Sequence, residues 1–175
     1  MLSQRVAARC RVVVDNDYAG DPDGILALAH HLLSPANRVV AITSSFLNPR
    51  FVSPPATPGA TALDGARLAS DLLLELGADG PAVSPGAEEP FTSVNSSPAA
   101  EAIVAAARED SELPLYLVCG GPLTNVAAAL ELDPDAFEYN RDTDPAAAAA
   151  VLAVAGLAVH QFPLETYRRC AYGVA

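Results

Sequence analysis

The chain has 175 residues, of which 51% are hydrophobic and 18% are charged. This composition excludes an intrinsically disordered chain, and the length predicts a single domain, 1–175. The formal net charge is −11, and all ten basic side chains are arginine. A chain this acidic repels nucleic-acid backbones, so no nucleic-acid partner is expected.

Membrane and export signals are not apparent in the sequence. No apolar run reaches the roughly 20 residues of a membrane-spanning helix, so no membrane partner is expected. The first residues, 1–14, have no apolar h-region of a signal peptide. The three cysteines, at positions 10, 119 and 170, are far apart in the sequence and suit a reducing compartment. These features predict a cytoplasmic protein.

The first half of the chain alternates short β-branched runs with helical stretches rich in alanine and leucine. In chain order the predicted elements are strand 11–15, helix 21–34, strand 38–43, loop 51–59 and helix 60–76. Pro22 suits the first turn of the first helix. Gly77 is the predicted C-cap of the second helix.

The second half continues the same alternation. The predicted elements are strand 81–84, loop 88–97, helix 98–108, strand 115–118, helix 122–132, helix 145–154 and strand 158–162. Ser97 is a candidate N-cap. Strands that alternate with helices predict an α/β fold with a mostly parallel, Rossmann-like open sheet flanked by helices.

Polar segments follow three of the predicted strands. An aspartate-rich segment follows the first strand, Ser44, Ser45 and Asn48 follow the second, and residues 119–125 follow the strand 115–118. Ligands of open parallel sheets bind beyond the carboxyl ends of the strands, so these groups are expected to converge on one edge. Asn125 is interpreted as a cap or turn residue at a helix start.

The aspartate-rich segment contains Asp15, Asp17, Asp21 and Asp23. Carboxylates that lie close together raise one another's pKa or share a cation. Several oxygen ligands on a short loop suit a hard ion, either calcium or magnesium. For Asp21 and Asp23, helix capping and solvation form the alternative interpretation.

Two known metal-binding patterns fit this segment poorly. An EF-hand loop that started at Asp15 would place Ala19 at its fifth position and Leu26 at its twelfth, where oxygen ligands are required. A magnesium-dependent phosphatase of the haloacid-dehalogenase type would need a threonine or valine at the position of Ala19. It would also need a downstream lysine, which the chain lacks.

A third pattern matches from Asp15 to Leu28 without gaps: a strand, Asp-x-Asp, a turn of small residues, further aspartates and an Ala-Leu-rich helix. The segment resembles the amino-terminal signature of the inosine/uridine-preferring nucleoside hydrolase family. Later segments resemble that family in the same order. They are 41–48, 63–90 with its Gly-x-x-x-Pro turn at 86–90, the Gly-Pro-Leu-Thr-Asn run within 117–125, 138–140 and 144–147.

The resemblance covers about residues 11 to 165 and implies a hydrolase that cleaves the N-glycosidic bond of ribonucleosides to ribose and free base. It implies a calcium ion that binds the ribose hydroxyls and a water. Asp17 matches the aspartate that ligates calcium and acts as general base. Asp15 matches the aspartate at the strand end. The implied metal ligands are Asp17, Asp21, Asp23 and the Gly120 carbonyl, and the implied substrate-binding residues are Asp23, Asn48, Glu138 and Asn140.

The chain departs from the family pattern in three places. Gly24 stands where the second of the paired aspartates ligates calcium, and Asp21 is the candidate replacement. The internal strand with its Met-Gly-Gly turn is missing between Leu132 and Glu138. Nothing after Glu165 resembles the late His-Asp-Pro element. These departures predict a shortened domain with a weakened calcium site.

Two further expectations follow from the departures. The missing strand predicts an exposed sheet edge, which favours a homo-oligomer. The missing ligands make a catalytically defective remnant, which binds ribosides or a partner without turnover, the alternative to an active enzyme. The resemblance leaves the base preference open.

Overall fold

The computed structural model of the protein describes residues 7–92 and 96–133, with isolated positions between 146 and 153. The chain forms four strands and four helices in strict alternation in this part. They are β1 (Cys10–Asn16), α1 (Asp23–Leu33), β2 (Asn37–Ser44), α2 (Thr61–Leu76), β3 (Val83–Pro85), α3 (Pro98–Arg108), β4 (Leu115–Cys119) and α4 (Thr124–Leu132). The predicted α/β fold is confirmed.

The described strands form one parallel sheet in the order β3-β2-β1-β4. β1 lies in the interior of this sheet because both of its edges are paired. Its valine run is buried because helices cover both faces. Asp15, near its carboxyl end, lies opposite Thr43 of β2 and Cys119 of β4. The register thus brings the ends of three strands together at one edge.

Successive side chains of β1 point to opposite faces of the sheet, and each face packs against its own pair of helices. Val12 and Val14 pack in a cluster with Leu28 of α1 and Ala69 of α2. Val13 packs instead against the cluster formed by α3 and α4. The connections β1-α1-β2 and β2-α2-β3 therefore cover one face, and α3 and α4 cover the other.

Helix α1 begins at Asp23, so the predicted start at residue 21 and the place of Pro22 in the first turn are wrong. Pro22 is the N-cap, because its carbonyl accepts the first helical hydrogen bond, from the Leu26 N–H at 3.1 Å. Helix α4 similarly begins at Thr124 rather than at residue 122, with Leu123 as its N-cap.

The two other predicted helix signals are confirmed. Gly77 closes α2 with a φ of 56°, in the left-handed region that favours glycine. Ser97 caps α3, since its side chain accepts a hydrogen bond from the Ala100 N–H. Of the predicted helix 145–154 only isolated positions are described, and the predicted strand 158–162 lies outside the described residues.

Helix α2 obtains its N-terminal cap from a distant loop. Its own N-cap residue, Ala60, offers no side-chain acceptor. The Glu88 carboxylate accepts hydrogen bonds from the N–H groups of Ala62 at 3.1 Å and Leu63 at 3.0 Å. The loop after β3 is thereby attached to the helix beside the sheet edge.

No helix in the described part of the chain is long and apolar enough to cross a membrane. Cys10 and Cys119, the two cysteines within the described stretches, form no disulfide.

We expect the two leucines near the middle of α1 to differ sharply in their contribution to stability. Leu28 is fully buried, whereas Leu26 is 68% exposed. Leu28→Ala should lower the free energy of unfolding by about 2–5 kcal/mol, because it leaves a cavity between α1 and the sheet. Leu26→Ala, the matched control, should change it by less than about 0.5 kcal/mol. Urea denaturation measures both, and equal losses would contradict this packing of α1.

Candidate functional site

Asp15 is the most deeply buried carboxylate at the carboxyl edge of the sheet. It has no exposed surface. Its Oδ1 accepts hydrogen bonds from the Thr43 hydroxyl at 2.6 Å and from the Asn125 side-chain amide at 2.8 Å. Burial raises the pKa of Asp15 to about 6, and the two hydrogen bonds oppose that rise. This side chain therefore joins β1, β2 and α4 at a single point.

A layer of buried polar atoms surrounds this junction. The Oδ2 of Asp15, the Oδ1 of Asn125 and the hydroxyls of Ser44 and Ser45 have no hydrogen-bond partner within the described residues. Three glycines give these side chains their space, since a Cβ at Gly65, Gly86 or Gly121 would collide with Ser44, Asn125 or Ser45 respectively.

A cavity of about 390 Å³ opens where the strand ends and their following loops meet. One part of its wall is acidic and another is apolar. Its lining residues are Asp17, Ala19, Gly20, Asp21, Asp23, Leu47, Phe51, Ser53 and Gly120. The structure thus brings together all four predicted metal ligands around one cavity.

Asp17 is the partly buried carboxylate of this cavity. Its backbone N–H donates to the Asn16 side-chain oxygen at 2.9 Å, and its carbonyl accepts the Gly20 N–H at 2.8 Å, which closes a tight turn. Burial, together with the neighbouring charges of Asp23, Asp15 and Asp21, raises the pKa of Asp17 to about 7, and a backbone hydrogen bond opposes the rise. Its carboxyl group therefore titrates near neutral pH.

The donor chemistry of the cavity suits calcium, but the number of converging ligands does not. Asp17, Asp21 and Asp23 offer carboxylate oxygens, the ligand type that calcium prefers. Yet no group of three or more His, Cys, Asp or Glu side chains is placed to hold a metal ion within residues 7–92 and 96–133. Asp21 and Asp23 are exposed. The described residues therefore do not form a complete calcium site.

Of the four predicted substrate-binding residues, the structure places one, Asp23, at the cavity. Asp23 lines the cavity, and its Oδ1 accepts the Gly24 N–H at 2.9 Å. Asn48 follows β2 and forms a turn instead of lining the cavity, because its Oδ1 accepts the Arg50 N–H at 3.0 Å. Glu138 and Asn140 lie outside the described residues.

The interpretation of Asn125 as a cap or turn residue is wrong. The N-cap of α4 is Leu123, and the Asn125 amide donates to Asp15, which lies 110 residues away in the sequence. The partner Thr43 was not singled out by sequence reasoning either, nor were Leu47, Phe51 and Ser53 of the cavity wall. Thr43 lies opposite Asp15 in the parallel register of β1 and β2, which the structure supplies.

A scan of the chain against models of known protein families gives no match. A search of curated proteins finds no matching protein. The resemblance to nucleoside hydrolases therefore stays a prediction, and it depends on the motifs of the sequence.

We expect the metal-free protein to lose stability as the pH rises towards neutrality. The folded-state pKa values of Asp15 and Asp17, about 6 and about 7, exceed the ordinary value of 3.8. The folded chain therefore binds protons more tightly than the unfolded chain. The stabilisation is complete below about pH 4 and is lost as the pH rises through about 6 to 7.

Thermal denaturation in EDTA between pH 4 and 8 checks the direction of this pH dependence of stability. Asp17→Asn should flatten the decline of the melting temperature, because it removes one of the two titrating groups. Asp71→Asn, a change on an exposed face of α2, should leave the decline unchanged. An Asp17→Asn profile parallel to the wild-type profile would contradict the placement of Asp17.

Asn125→Leu should destabilise the fold in a pH-dependent manner. The change keeps the approximate shape of the side chain but removes the donor to Asp15, leaving Thr43 as its remaining partner. At pH 8, where Asp15 is ionised, the loss should be about 1.5–3 kcal/mol, the usual contribution of a hydrogen bond to a charged group. At pH 5 the loss should be smaller, because the neutral carboxyl needs the donor less. Urea denaturation at both pH values measures the difference.

Proposed function

We propose that this protein hydrolyses the N-glycosidic bond of ribonucleosides and releases ribose and the free base. The observation that carries the proposal is the Asp17 carboxylate on the wall of the 390 Å³ cavity, with a pKa raised to about 7. A general base works best when its pKa lies near the operating pH, because it is then largely unprotonated and still basic. The motif resemblance supplies the reaction class.

In the proposed reaction, Asp17 takes a proton from a water that attacks the anomeric carbon. The carbon–nitrogen bond breaks through an oxocarbenium-like state, and its electron pair leaves with the base, which takes a proton from solvent water. Asp17 then returns the proton it took to the solvent. The water oxygen becomes the anomeric hydroxyl of ribose. The turn from Asp17 to Gly20 fixes the backbone that carries this carboxylate on the cavity wall.

Asp21 and Asp23 supply the second function of the acidic wall, which is to accept hydrogen bonds from ribose hydroxyls. Leu47 and Phe51 provide an apolar wall for the remainder of the substrate. A calcium ion, when bound, would supply a Lewis acid for the water and the ribose hydroxyls. Because the described ligands are too few, we propose that any such ion is weakly held.

Riboside binding without turnover is the second candidate function. It is favoured by the absence of a converging three-ligand group within the described residues. It is also favoured by the environment of Gly24, which is buried against Asn16 where the resemblance requires a carboxylate ligand. In this case the cavity keeps its shape and its acidic wall, and the ribonucleoside stays intact.

Ribose release from inosine, uridine and a nitrophenyl riboside tests the proposal. The value of kcat/KM should rise with pH, tenfold per unit below about pH 7, and reach a plateau above it, because Asp17 must be unprotonated. Asp17→Asn should lower kcat by roughly 10²–10⁴-fold, the contribution usual for a general base. Addition of EDTA shows whether a divalent ion is required.

Asp71→Asn is the matched control, since it removes an exposed carboxylate from α2, outside the cavity lining. It should keep full activity. Folded protein that releases no ribose from any of the three substrates would overturn the hydrolase proposal. Calorimetric binding of inosine by that same protein would then support the second candidate, and no binding would overturn it as well.

A further inference from the structure

Asn16, the last residue of β1, lies between Asp15 and Asp17 in the sequence and is only 6% exposed. Its side-chain Oδ1 accepts the Asp17 N–H at 2.9 Å, and its carbonyl accepts the Ser45 N–H at 2.9 Å. The residue therefore links the backbone of Asp17 to Ser45, the residue after β2. It was assigned no role from the sequence.

Two glycines from separate segments flank the Asn16 amide. A Cβ on Gly24, in the first turn of α1, would lie 2.8 Å from the Asn16 Cγ and 2.9 Å from its Oδ1. A Cβ on Gly120, just after β4, would collide with the Asn16 Nδ2. Real Cβ atoms essentially never approach a heavy atom more closely than 3.0 Å. Neither segment can carry a side chain at these positions while Asn16 keeps its place.

Movement of Asn16 does not relieve these contacts cheaply. The amide lies close to both glycine positions at once, and its Oδ1 also accepts the Asp17 N–H at 2.9 Å. A new Cβ that displaces the amide would therefore disturb both that hydrogen bond and the packing against the other segment. The amide thus fills a slot between α1 and the loop after β4, and both segments contribute residues to the cavity.

We propose that Asn16 is a positioning residue whose amide sets the spacing between Asp17, the start of α1 and the Gly120 segment. By occupying this slot it also closes position 24 to a carboxylate ligand. The same amide accepts the Asp17 N–H, so the packing at position 24 and the backbone of Asp17 depend on one side chain. This inference concerns the cavity of the proposed function, but its packing argument does not depend on turnover.

Gly24→Ala tests whether Asn16 fills the space beside position 24, because the direction of the change in melting temperature depends on it. Alanine in place of glycine within a helix normally stabilises it, which would raise the melting temperature by about 1–3 °C. Here the new Cβ meets Asn16, so Gly24→Ala should instead lower the melting temperature by several degrees. In an Asn16→Ala background the same change should regain its normal sign and raise the melting temperature. A rise in the wild-type background, or a fall in both backgrounds, would overturn the proposal.

Terbium luminescence then separates positioning from simple packing, with Tb³⁺ as a probe for hard cations. Gly24→Asp alone should not tighten Tb³⁺ binding, because the new carboxylate has no room. Asn16→Ala with Gly24→Asp should bind Tb³⁺ about tenfold more tightly than Asn16→Ala alone, because a carboxylate has been added to the acidic wall. Tightening by Gly24→Asp alone, or no tightening by the double variant, would overturn the proposal.

Leu26→Asp is the matched control, since it adds a carboxylate to the same helix at an exposed position. Its effects on melting temperature and Tb³⁺ binding should be the same in the wild-type background and in the Asn16→Ala background. If Gly24→Asp proves too unstable to titrate, the Gly24→Ala measurements in the two backgrounds decide the outcome. All readouts are independent of ribose release, so an inactive protein would refute the proposed function without affecting this test.

Discussion

The hydrogen bonds to the buried carboxylate of Asp15 connect the elements that surround the cavity. Removal of a carboxylate from water costs several kcal/mol unless hydrogen bonds replace its hydration, or the group takes up a proton. Thr43 of β2 and Asn125 of α4 both donate to the same oxygen. The sheet register and the docking of α4 are therefore coupled to one side chain. The same contacts fix the strand end from which Asp17 projects.

Close packing around this strand end depends on glycine at positions where any side chain would collide with a polar neighbour. Gly65 makes room for Ser44, Gly86 for Asn125, and Gly120 for Asn16. Each of these glycines lies in an element or loop beside the sheet edge, so the polar layer is bounded by backbone rather than by mobile side chains. Such a boundary favours a single arrangement of the polar groups, because few rotamers fit.

The electrostatics of the cavity follow from this packing. Asp17 is partly buried and faces the negative charges of Asp15, Asp21 and Asp23, which together with burial place its pKa near neutrality. A carboxylate with that pKa is available as a base under ordinary conditions. The exposed carboxylates beside it attract cations and accept hydrogen bonds from hydroxyl groups. One acidic wall therefore underlies both the proposed chemistry and the proposed weak binding of a cation.

The sequence by itself determined the alternation of strands and helices, the α/β class, the caps at Gly77 and Ser97, and the grouping of polar segments after the strands. These features depend on neighbours within a few positions, so periodicity and turn chemistry reveal them. The tertiary structure decided the partners: Asn125 with Asp15, Glu88 with the start of α2, and Asn16 between Gly24 and Gly120. Those contacts join residues up to 110 positions apart, and they exist only because the parallel register and helix docking bring separate segments within hydrogen-bond distance.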